Sequence, residues 1–365
     1  MLRGPPLKGR LPDVSPRSLE FLIPGDLQSP TGGYGYDRRI IDGLRQLGWR
    51  VNVGALDASF PLPTAAALEQ AEAAFSRIPD EGLVMVDGLA LGAMPQVAAR
   101  HARRVRLVAL VHHPLASETG LSPEIADQLE QSERASLRSA RHVIVTSEAT
   151  AVALAPYGVE RSRISVIVPG TDEAALVPGS RDGVTRLLCV ATLTSRKGHD
   201  LLIDALARLT SLRWTLTCVG SLTQSPDTVV AIRGQIERAA LGERVALAGA
   251  LTGGALEAAF QAADLFVLPT RHEGYGMVVA EALARGLPVI GTRTGAIPDL
   301  VGAEAGLIVP PDDGAAFHDA LARVLRDPSL LASLREGARQ ARDDLPRWRD
   351  SANEMARVLE EAAAA

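Results

Sequence analysis

The sequence predicts an α/β protein that is divided into two domains, each with a parallel sheet. Its 365 residues are about twice the usual length of a single domain. Hydrophobic residues make up 47% of the chain, which is enough for two cores. Short apolar runs alternate with amphipathic stretches through both halves, and this alternation is typical of strands and helices that build parallel sheets.

The first half begins with an apolar strand at residues 19–24, followed by a loop over 25–35 that contains four glycines. Apolar residues then recur at helical spacing over 36–47. A Gly-rich loop in this position lies at the carboxyl end of a strand, where open α/β sheets bind their ligands. We expect further strands at 51–56, 83–86, 106–111, 142–146 and 164–168, and a long helix at 122–139.

The second half repeats this pattern after a linker that contains Pro169–Gly170 and Pro178–Gly179. A strand at 186–191 leads through a loop at 192–197 into a helix at 198–209. Further strands are predicted at 215–219, 245–247, 265–268, 288–290 and 306–309, and a last helix from about 348 to 362.

These elements divide the chain into four segments. We expect a flexible tail over 1–18, one domain over 19–172, a second domain over 173–345 and a terminal segment over 346–365. The tail is rich in Pro, Gly and Arg and lacks the apolar stretch of a secretory signal. No apolar run reaches the roughly 18 residues of a membrane-spanning helix, so the sequence predicts a cytoplasmic protein.

Charge and residue composition exclude several classes of function. The net charge of −5 argues against binding to nucleic acid through bulk charge. Cys189 and Cys218 lie in apolar, strand-like runs and are expected to be buried, reduced thiols. No group of Cys, His and acidic residues has the spacing of metal ligands, so no metal site is predicted. The glycines do not match a dinucleotide fingerprint, which argues against an NAD-dependent dehydrogenase.

The most informative segment is Thr270–Glu281, which predicts a strand end, a tight turn and the start of a helix. Gly274 and Gly276 free this turn from side-chain clashes, and a helix N-terminus attracts anions and polar oxygens. Glu273 lies in the turn, and Glu281 follows about two helical turns later. The two carboxylates are therefore placed to hold two parts of an elongated, hydroxyl-rich ligand.

Two further groups lie at predicted strand ends. Arg196 and Lys197 come just before Gly198 at a helix N-terminus, where adjacent cations are suited to a diphosphate. His112 and His113 follow the strand at 106–111, on the edge of the sheet where ligands bind.

Glu273 and Glu281, with seven residues between them and Gly-Tyr-Gly after the first, resemble the motif of the retaining glycosyltransferases of family 4. Residues 194–203 resemble the phosphate-binding segment of that family. The resemblance extends from about Phe21 to Asp313. It implies a GT-B fold, in which two Rossmann-like domains with parallel sheets face each other across a cleft and a terminal helix crosses back to the first domain.

The resemblance also implies roles in donor binding. Arg196 and Lys197 would hold the diphosphate and offset the charge that develops on the leaving nucleotide. Glu273 would contact hydroxyls of the donor sugar, and Glu281 would bind the ribose. The remaining donor contacts would come from the backbone of Gly274, Tyr275 and Gly276 near the sugar, and from Gly249, Ala250 and Leu251 around the base.

On the first domain, Gly32 and Gly33 would let the backbone approach the phosphate and the acceptor. His112 would contact the donor sugar near the reaction centre, with His113 as the alternative because the register is uncertain there.

The expected function is retaining transfer of a hexosyl unit from a UDP- or GDP-sugar to an unidentified small-molecule, glycan or lipid-linked acceptor. No metal and no cofactor other than the nucleotide sugar is expected. Two alternatives stay open, a nucleotide-sugar epimerase on the same fold and a non-catalytic protein that binds nucleotide sugars.

Two charged segments outside these motifs have simpler interpretations. The basic residues of Arg100–Arg106 are expected to form a solvated face. The alternative is contact with anionic lipid, which would place the protein at the inner face of the membrane. Glu118 is expected to be an exposed acid in a loop.

Overall fold

The structure, a computed structural model, describes residues 17–118 and 120–364 and contains two six-stranded parallel sheets. The strands of the first sheet are β1 (Ser18–Pro24), β2 (Arg50–Leu56), β3 (Leu83–Asp87), β4 (Arg106–Val111), β5 (His142–Val145) and β6 (Ile164–Val166). Their order is β2-β1-β3-β4-β5-β6. The second sheet contains β7 (Thr185–Val190), β8 (Trp214–Val219), β9 (Val245–Gly249), β10 (Leu265–Leu268), β11 (Val289–Thr292) and β12 (Gly306–Val309). Their order, β12-β11-β10-β7-β8-β9, confirms the predicted class.

Helices connect the strands in both halves. The first half contains α1 (Gly32–Gln46), α2 (Ala65–Ser76), α3 (Gly88–Leu91), α4 (Pro95–His101), α5 (Pro123–Ser139) and α6 (Glu148–Ala153). The second half contains α7 (His199–Ala207), α8 (Pro226–Arg238), α9 (Gly253–Gln261), α10 (Met277–Ala284), α11 (Ile297–Val301), α12 (Gly314–Arg326) and α13 (Pro328–Ala341). The last helix is α14 (Trp348–Ala364). None of the helices in the described part of the chain is both long and apolar enough to cross a membrane.

Each sheet is buried on both faces, which explains the continuous apolar runs in the sequence. In β3, Val84 and Val86 pack into the core beneath α2, while Leu83 and Met85 pack into the core shared with α1. The second domain has one core around its sheet. Cys189 and Cys218 are buried there and unpaired, on adjacent strands.

The predicted glycine loop at 25–35 is shorter than expected, because α1 begins at Gly32. The side chain of Thr31 accepts a hydrogen bond from the Tyr34 N–H and so caps the helix. A cap of this kind compensates for the low helix propensity of glycine. Gly32 and Gly33 therefore lie in the first turn of a helix, not in an open loop.

Helix α14 packs against the first domain, although it follows the second domain in the chain. Met355, Val358 and Leu359 are buried in the core that contains Ile40 and Ile41 of α1. The predicted domain border at 172–173 lies in the segment between β6 and β7. The predicted tail lies outside the described residues, except for Arg17 and for Ser18, where β1 already begins.

Candidate active site in the cleft between the domains

The carboxyl ends of both sheets face one cleft, and the loops that follow β1, β4, β7 and β10 line it. Gly274 after β10 lies so close to His112 after β4 that a Cβ on it would be 2.5 Å from the His112 carbonyl oxygen. Such contact is too short for any side chain, so only glycine lets the two domains approach here. The loops of the two domains therefore form one continuous site.

The Arg196–Lys197 pair lies directly against the Glu273 loop. Lys197 Nζ lies 2.6 Å from Glu273 Oε2, and the Arg196 guanidinium donates to the His272 carbonyl at 3.0 Å. Gly198 makes this approach possible, since it has a φ of +69° and a Cβ on it would lie 2.1 Å from the Pro269 carbonyl oxygen. The second domain thus brings two cations and one carboxylate together.

Glu273 is ionised in this setting. Burial alone would raise the pKa of Glu273, but the charges of Lys197 and Arg196 outweigh burial and lower that pKa below its usual value. An ionised carboxylate accepts hydrogen bonds and can bind hydroxyl groups in a bidentate way. The geometry is therefore suited to an anion beside the cations and a polyol beside Glu273.

Gly276 and Tyr275 have structural roles in the turn. Gly276 has a φ of +93° and forms the N-terminal boundary of α10. The Tyr275 ring is buried, and burial raises the pKa of its hydroxyl to about 12. The side chain of Tyr275 is therefore part of the core, which leaves its backbone as the group that can reach a ligand.

His112 is held by two buried carboxylates of its own domain. Its Nε2 atom lies 3.2 Å from Asp37 Oδ1 on α1 and 3.7 Å from Asp87 Oδ2 at the end of β3. Burial lowers the pKa of His112, but Asp37 and Asp87 outweigh it, and the net effect is a raised pKa. Burial and the charge of Asp37 raise the pKa of Asp87 to about 7.

Sequence reasoning missed Asp37 and Asp87. Their oxygens and an imidazole nitrogen of His112 lie within 4.8 Å of one another, which is close enough to hold a metal ion. The three residues come from separate elements, so no local spacing could reveal the cluster. The sequence showed that Asp87 and His112 come at strand ends and that Asp37 follows the Gly-rich segment, but it did not show that the three meet.

His113 faces a different part of the cleft from His112. Its ring makes an edge contact with His272 of the second domain, with ring centroids 5.5 Å apart, and its Nε2 atom lies 3.6 Å from Glu118 Oε2. Gly33 packs on the ring of His112, because a Cβ on it would be 3.2 Å from the His112 Cδ2 atom. The structure therefore associates His112, not His113, with the Gly-rich start of α1.

Glu281 lies farther along the cleft, at a cavity of about 330 Å³ between the domains. Burial raises the pKa of Glu281 to about 7, and Arg285 partly offsets this effect. Other residues that line the cavity are Gly35, Arg38, Arg39, Asp172, Met277 and Trp348. Because Gly33 contacts His112 and Gly35 lines this cavity, the start of α1 connects the two parts of the site.

Gly249, Ala250 and Leu251 lie at the carboxyl end of β9. Gly249 ends β9, which is the edge strand two positions from β7, and its carbonyl accepts from the Gly220 N–H at 2.9 Å. Gly32 has no neighbour within 4 Å of a Cβ built on it, so its surroundings are open.

Glu118 is the exposed loop acid that we expected, and it also has a partner across the cleft. Its Oε1 atom lies 3.1 Å from Arg196 Nε, so the loop after β4 reaches across the cleft. The basic segment at 100–106 is solvated in part, since Arg100 and Arg103 are exposed and His101 is buried. Arg100 and His101 pair with Glu72, and Arg104 pairs with Asp80. Acids of neighbouring elements therefore lie against the basic side chains of this segment.

Comparison with known proteins places these features in a family. The model of the family described as "Glycosyltransferase Family 4" matches residues 83–175, and that of "Glycosyl transferases group 1" matches residues 184–327. The chain is 30% identical over 208 residues to the D-inositol 3-phosphate glycosyltransferase of Mycolicibacterium smegmatis. This match covers 53% of the chain and 47% of the relative, so the chain spans about half the length of this curated relative.

Solved structures show the same architecture. Sucrose-phosphate synthase from Thermosynechococcus elongatus superimposes with a TM-score of 0.79 at 21% identity, over 95% of this chain and 99% of that one. Anabaena Alr3699/HepE in complex with UDP-glucose superimposes with a TM-score of 0.72 at 19% identity, over 94% and 99%. At this identity the likeness establishes the fold, which is GT-B. With both halves matched by models of one family, the chain belongs to glycosyltransferase family 4.

Proposed function

We propose that the protein is a retaining glycosyltransferase that moves a hexosyl unit from a UDP- or GDP-sugar to an unidentified acceptor. The observation that carries this proposal is the contact between Lys197 and Glu273, at 2.6 Å, with Arg196 beside them and His112 across the cleft. A cation pair adjoining an ionised carboxylate fits a phosphate that is linked to a polyhydroxylated ring.

The charges match the changes that occur during glycosyl transfer. When the bond between the anomeric carbon and phosphate breaks, the leaving diphosphate gains negative charge and the sugar becomes cationic. Arg196 and Lys197 stabilise the leaving group from one side. They lie at the N-terminal end of α7, whose dipole adds to their effect.

Glu273 is proposed to position the sugar and not to attack it. Its carboxylate is held by Lys197, and the pKa of Glu273 is lowered by these cations against the effect of burial. A strongly paired carboxylate is a weak nucleophile, so a front-face reaction is favoured, in which an oxygen of the leaving phosphate takes the acceptor's proton. Glu281, at the far end of the cleft, is proposed to bind the ribose.

The descriptions of two similar proteins suggest which donors and acceptors to test. The Anabaena neighbour is described in complex with UDP-glucose, which supports a UDP-sugar among the donors to be tested. The curated relative from Mycolicibacterium smegmatis is named for an inositol phosphate acceptor, which supports small polyols as acceptors to be tested.

Thermal-shift measurements with UDP, GDP, ADP and their sugars test the proposal. A ligand at free concentration L that binds only the folded state stabilises it by RT ln(1 + L/Kd) and so raises the melting temperature. We expect one nucleotide and its sugar to stabilise the wild type, and Lys197→Ala to lose most of that shift. Arg208→Ala, which removes an exposed cation of the same domain, should keep it. No shift with any nucleotide would contradict the proposal.

A further inference from the structure

We propose that Asp37 and Asp87 are positioning residues that hold the His112 ring in one orientation at the reaction centre. The inference rests on the proposed function, in which His112 meets the donor sugar. Sequence analysis did not single out these two carboxylates, which contact the imidazole.

The first observation is that His112 is the one basic side chain that the described residues place against Asp37. Its side chain is fully buried, and the described residues give it one hydrogen bond, between Oδ1 and His112 Nε2 at 3.2 Å. Its second oxygen, Oδ2, is buried and accepts no hydrogen bond from the described part of the chain. A buried, half-satisfied carboxylate is costly, and its contact with His112 offers a function that accounts for this cost.

The second observation is that Asp87 serves both its own helix and His112. One oxygen accepts from the Leu89 N–H at 2.7 Å and caps α3, which fixes the carboxylate in place. The other oxygen lies 3.7 Å from His112 Nε2. Asp37 and Asp87 therefore approach the same ring nitrogen from two different elements.

The rest of His112 is held as well. The Tyr36 ring meets the imidazole edge-on, with centroids 5.5 Å apart, and Gly33 packs on its Cδ2 atom. The His112 carbonyl accepts from the hydroxyls of Thr150 at 3.3 Å and Thr146 at 3.4 Å. Since Nε2 faces the carboxylates, Nδ1 is left as the ring nitrogen that can meet a substrate.

Replacing Asp37 tests this arrangement, because a positioning role and a structural role predict different results. Asp37→Leu removes a buried carboxylate and adds volume at a packed position, so its melting temperature should fall, and the kinetics are compared at a temperature where every variant is folded. The kcat for donor hydrolysis, in which water takes the hexosyl unit and nucleoside diphosphate leaves, should fall roughly 10- to 100-fold for the donor that stabilises the protein most, as for groups that orient a histidine. The donor KM should change by less than about threefold. The kcat of Asp37→Asn, which keeps a hydrogen-bond acceptor, should lie between those of the wild type and Asp37→Leu.

Imidazole NMR signals provide a readout that does not need glycosyl transfer. We expect the His112 ring, assigned from a His112→Asn spectrum, to show one Nε2-protonated environment in the wild type and averaged signals in Asp37→Leu. The matched control is Asp264→Asn, an equally buried carboxylate in the second domain that bonds to Ser180 and Arg186. It should lower the melting temperature and leave the kcat and the His112 signals unchanged.

Several outcomes would overturn the inference. These are a kcat within threefold of wild type in Asp37→Leu, or unchanged His112 signals in that variant. A third outcome combines two results: EDTA abolishes the activity and Mn²⁺ restores it, and Mn²⁺ broadens the His112 signals. The cluster would then be a cation site. If the wild type releases no nucleoside diphosphate but the NMR difference is seen, the proposed function fails and the positioning role stands.

Discussion

Lys197 and Glu273 form an ion pair of 2.6 Å in which the two side chains are only 14% and 15% exposed. They are far apart in the sequence and meet because β7 and β10 are adjacent in the second sheet. A pair this enclosed is sensitive to loss of one partner, since the other charge remains without compensation. The pair is therefore the most direct place to test the proposed site.

Lys197→Ala should weaken binding of the nucleoside diphosphate alone by about 10- to 100-fold, which corresponds to the loss of a charge-assisted hydrogen bond. Glu273→Gln should leave that affinity close to the wild-type value and abolish transfer, because its proposed partner is the sugar. Isothermal titration with UDP and GDP, together with donor turnover, separates the two effects. Near wild-type turnover in either variant would show that the role assigned to that residue is wrong.

Glu118→Gln should raise the affinity for the nucleoside diphosphate about two- to fivefold at low salt. The Glu118 carboxylate now lies 3.1 Å from Arg196 Nε and competes with an incoming anion. A pair with a partly exposed partner is worth up to about 1 kcal/mol, which limits the gain. Titrations at two salt concentrations check this, because the difference should shrink at high salt. Weaker binding in the variant would mean that Glu118 supports the anion site.

Glu133→Gln should reduce the loss of stability that occurs as the pH rises from about 5.5 to 8.5. Glu133 is fully buried, and burial raises its pKa from 4.5 to about 8. Between these values the folded state binds more protons than the unfolded state, so the free energy of unfolding falls with rising pH. In the wild type, Glu133 Oε2 accepts a hydrogen bond from the Leu115 N–H at 2.9 Å. Gln stays neutral at every pH and can still accept this hydrogen bond.

Urea unfolding at three pH values gives the free energy of unfolding of each protein. We expect the pH-dependent loss of that free energy to be smaller in Glu133→Gln, by on the order of 3 kcal/mol at the highest pH. Glu130→Gln is the control, since Glu130 is on the same helix and forms a partly exposed pair with Arg134. Parallel pH profiles for the wild type and Glu133→Gln would contradict the prediction.

Gly170→Ala should destabilise the protein at the point where the linker passes α14. A Cβ on Gly170 would lie 2.1 Å from the Trp348 backbone nitrogen, and backbone cannot move as easily as a side chain. We expect a loss of at least the roughly 1–3 kcal/mol typical of overpacking. Gly242→Ala, where no atom lies within 4 Å of the added Cβ, is the control. Equal melting temperatures for the two variants would contradict this account.

The sequence predicted the fold well because its signals are local. Apolar runs, glycine breaks and helical periodicity placed the strands close to their observed bounds, as for 106–111, which is β4. The start of α1 was placed too late, at residue 36 instead of Gly32. Four glycines suggested a loop, and the Thr31 cap that overrides them was not considered.

The site was predictable only where its residues share a motif. Arg196, Lys197, Glu273 and Glu281 lie in short segments that carry a family pattern, and the structure brings Arg196, Lys197 and Glu273 together. Asp37 and Asp87 were missed because their meeting with His112 depends on the order of β1, β3 and β4 in the sheet. Glu118 is exposed as predicted, but its contact with Arg196 was missed for the same reason, since that residue is in the other domain.

The course of α14 affects how such proteins can be recombined. Its buried face, with Met355 and Leu359, completes the core of the first half of the chain. A chimera that exchanges everything after the linker would therefore also replace part of that core with a foreign helix. Swapping only the segment between the linker and residue 346 keeps the core of the first half native.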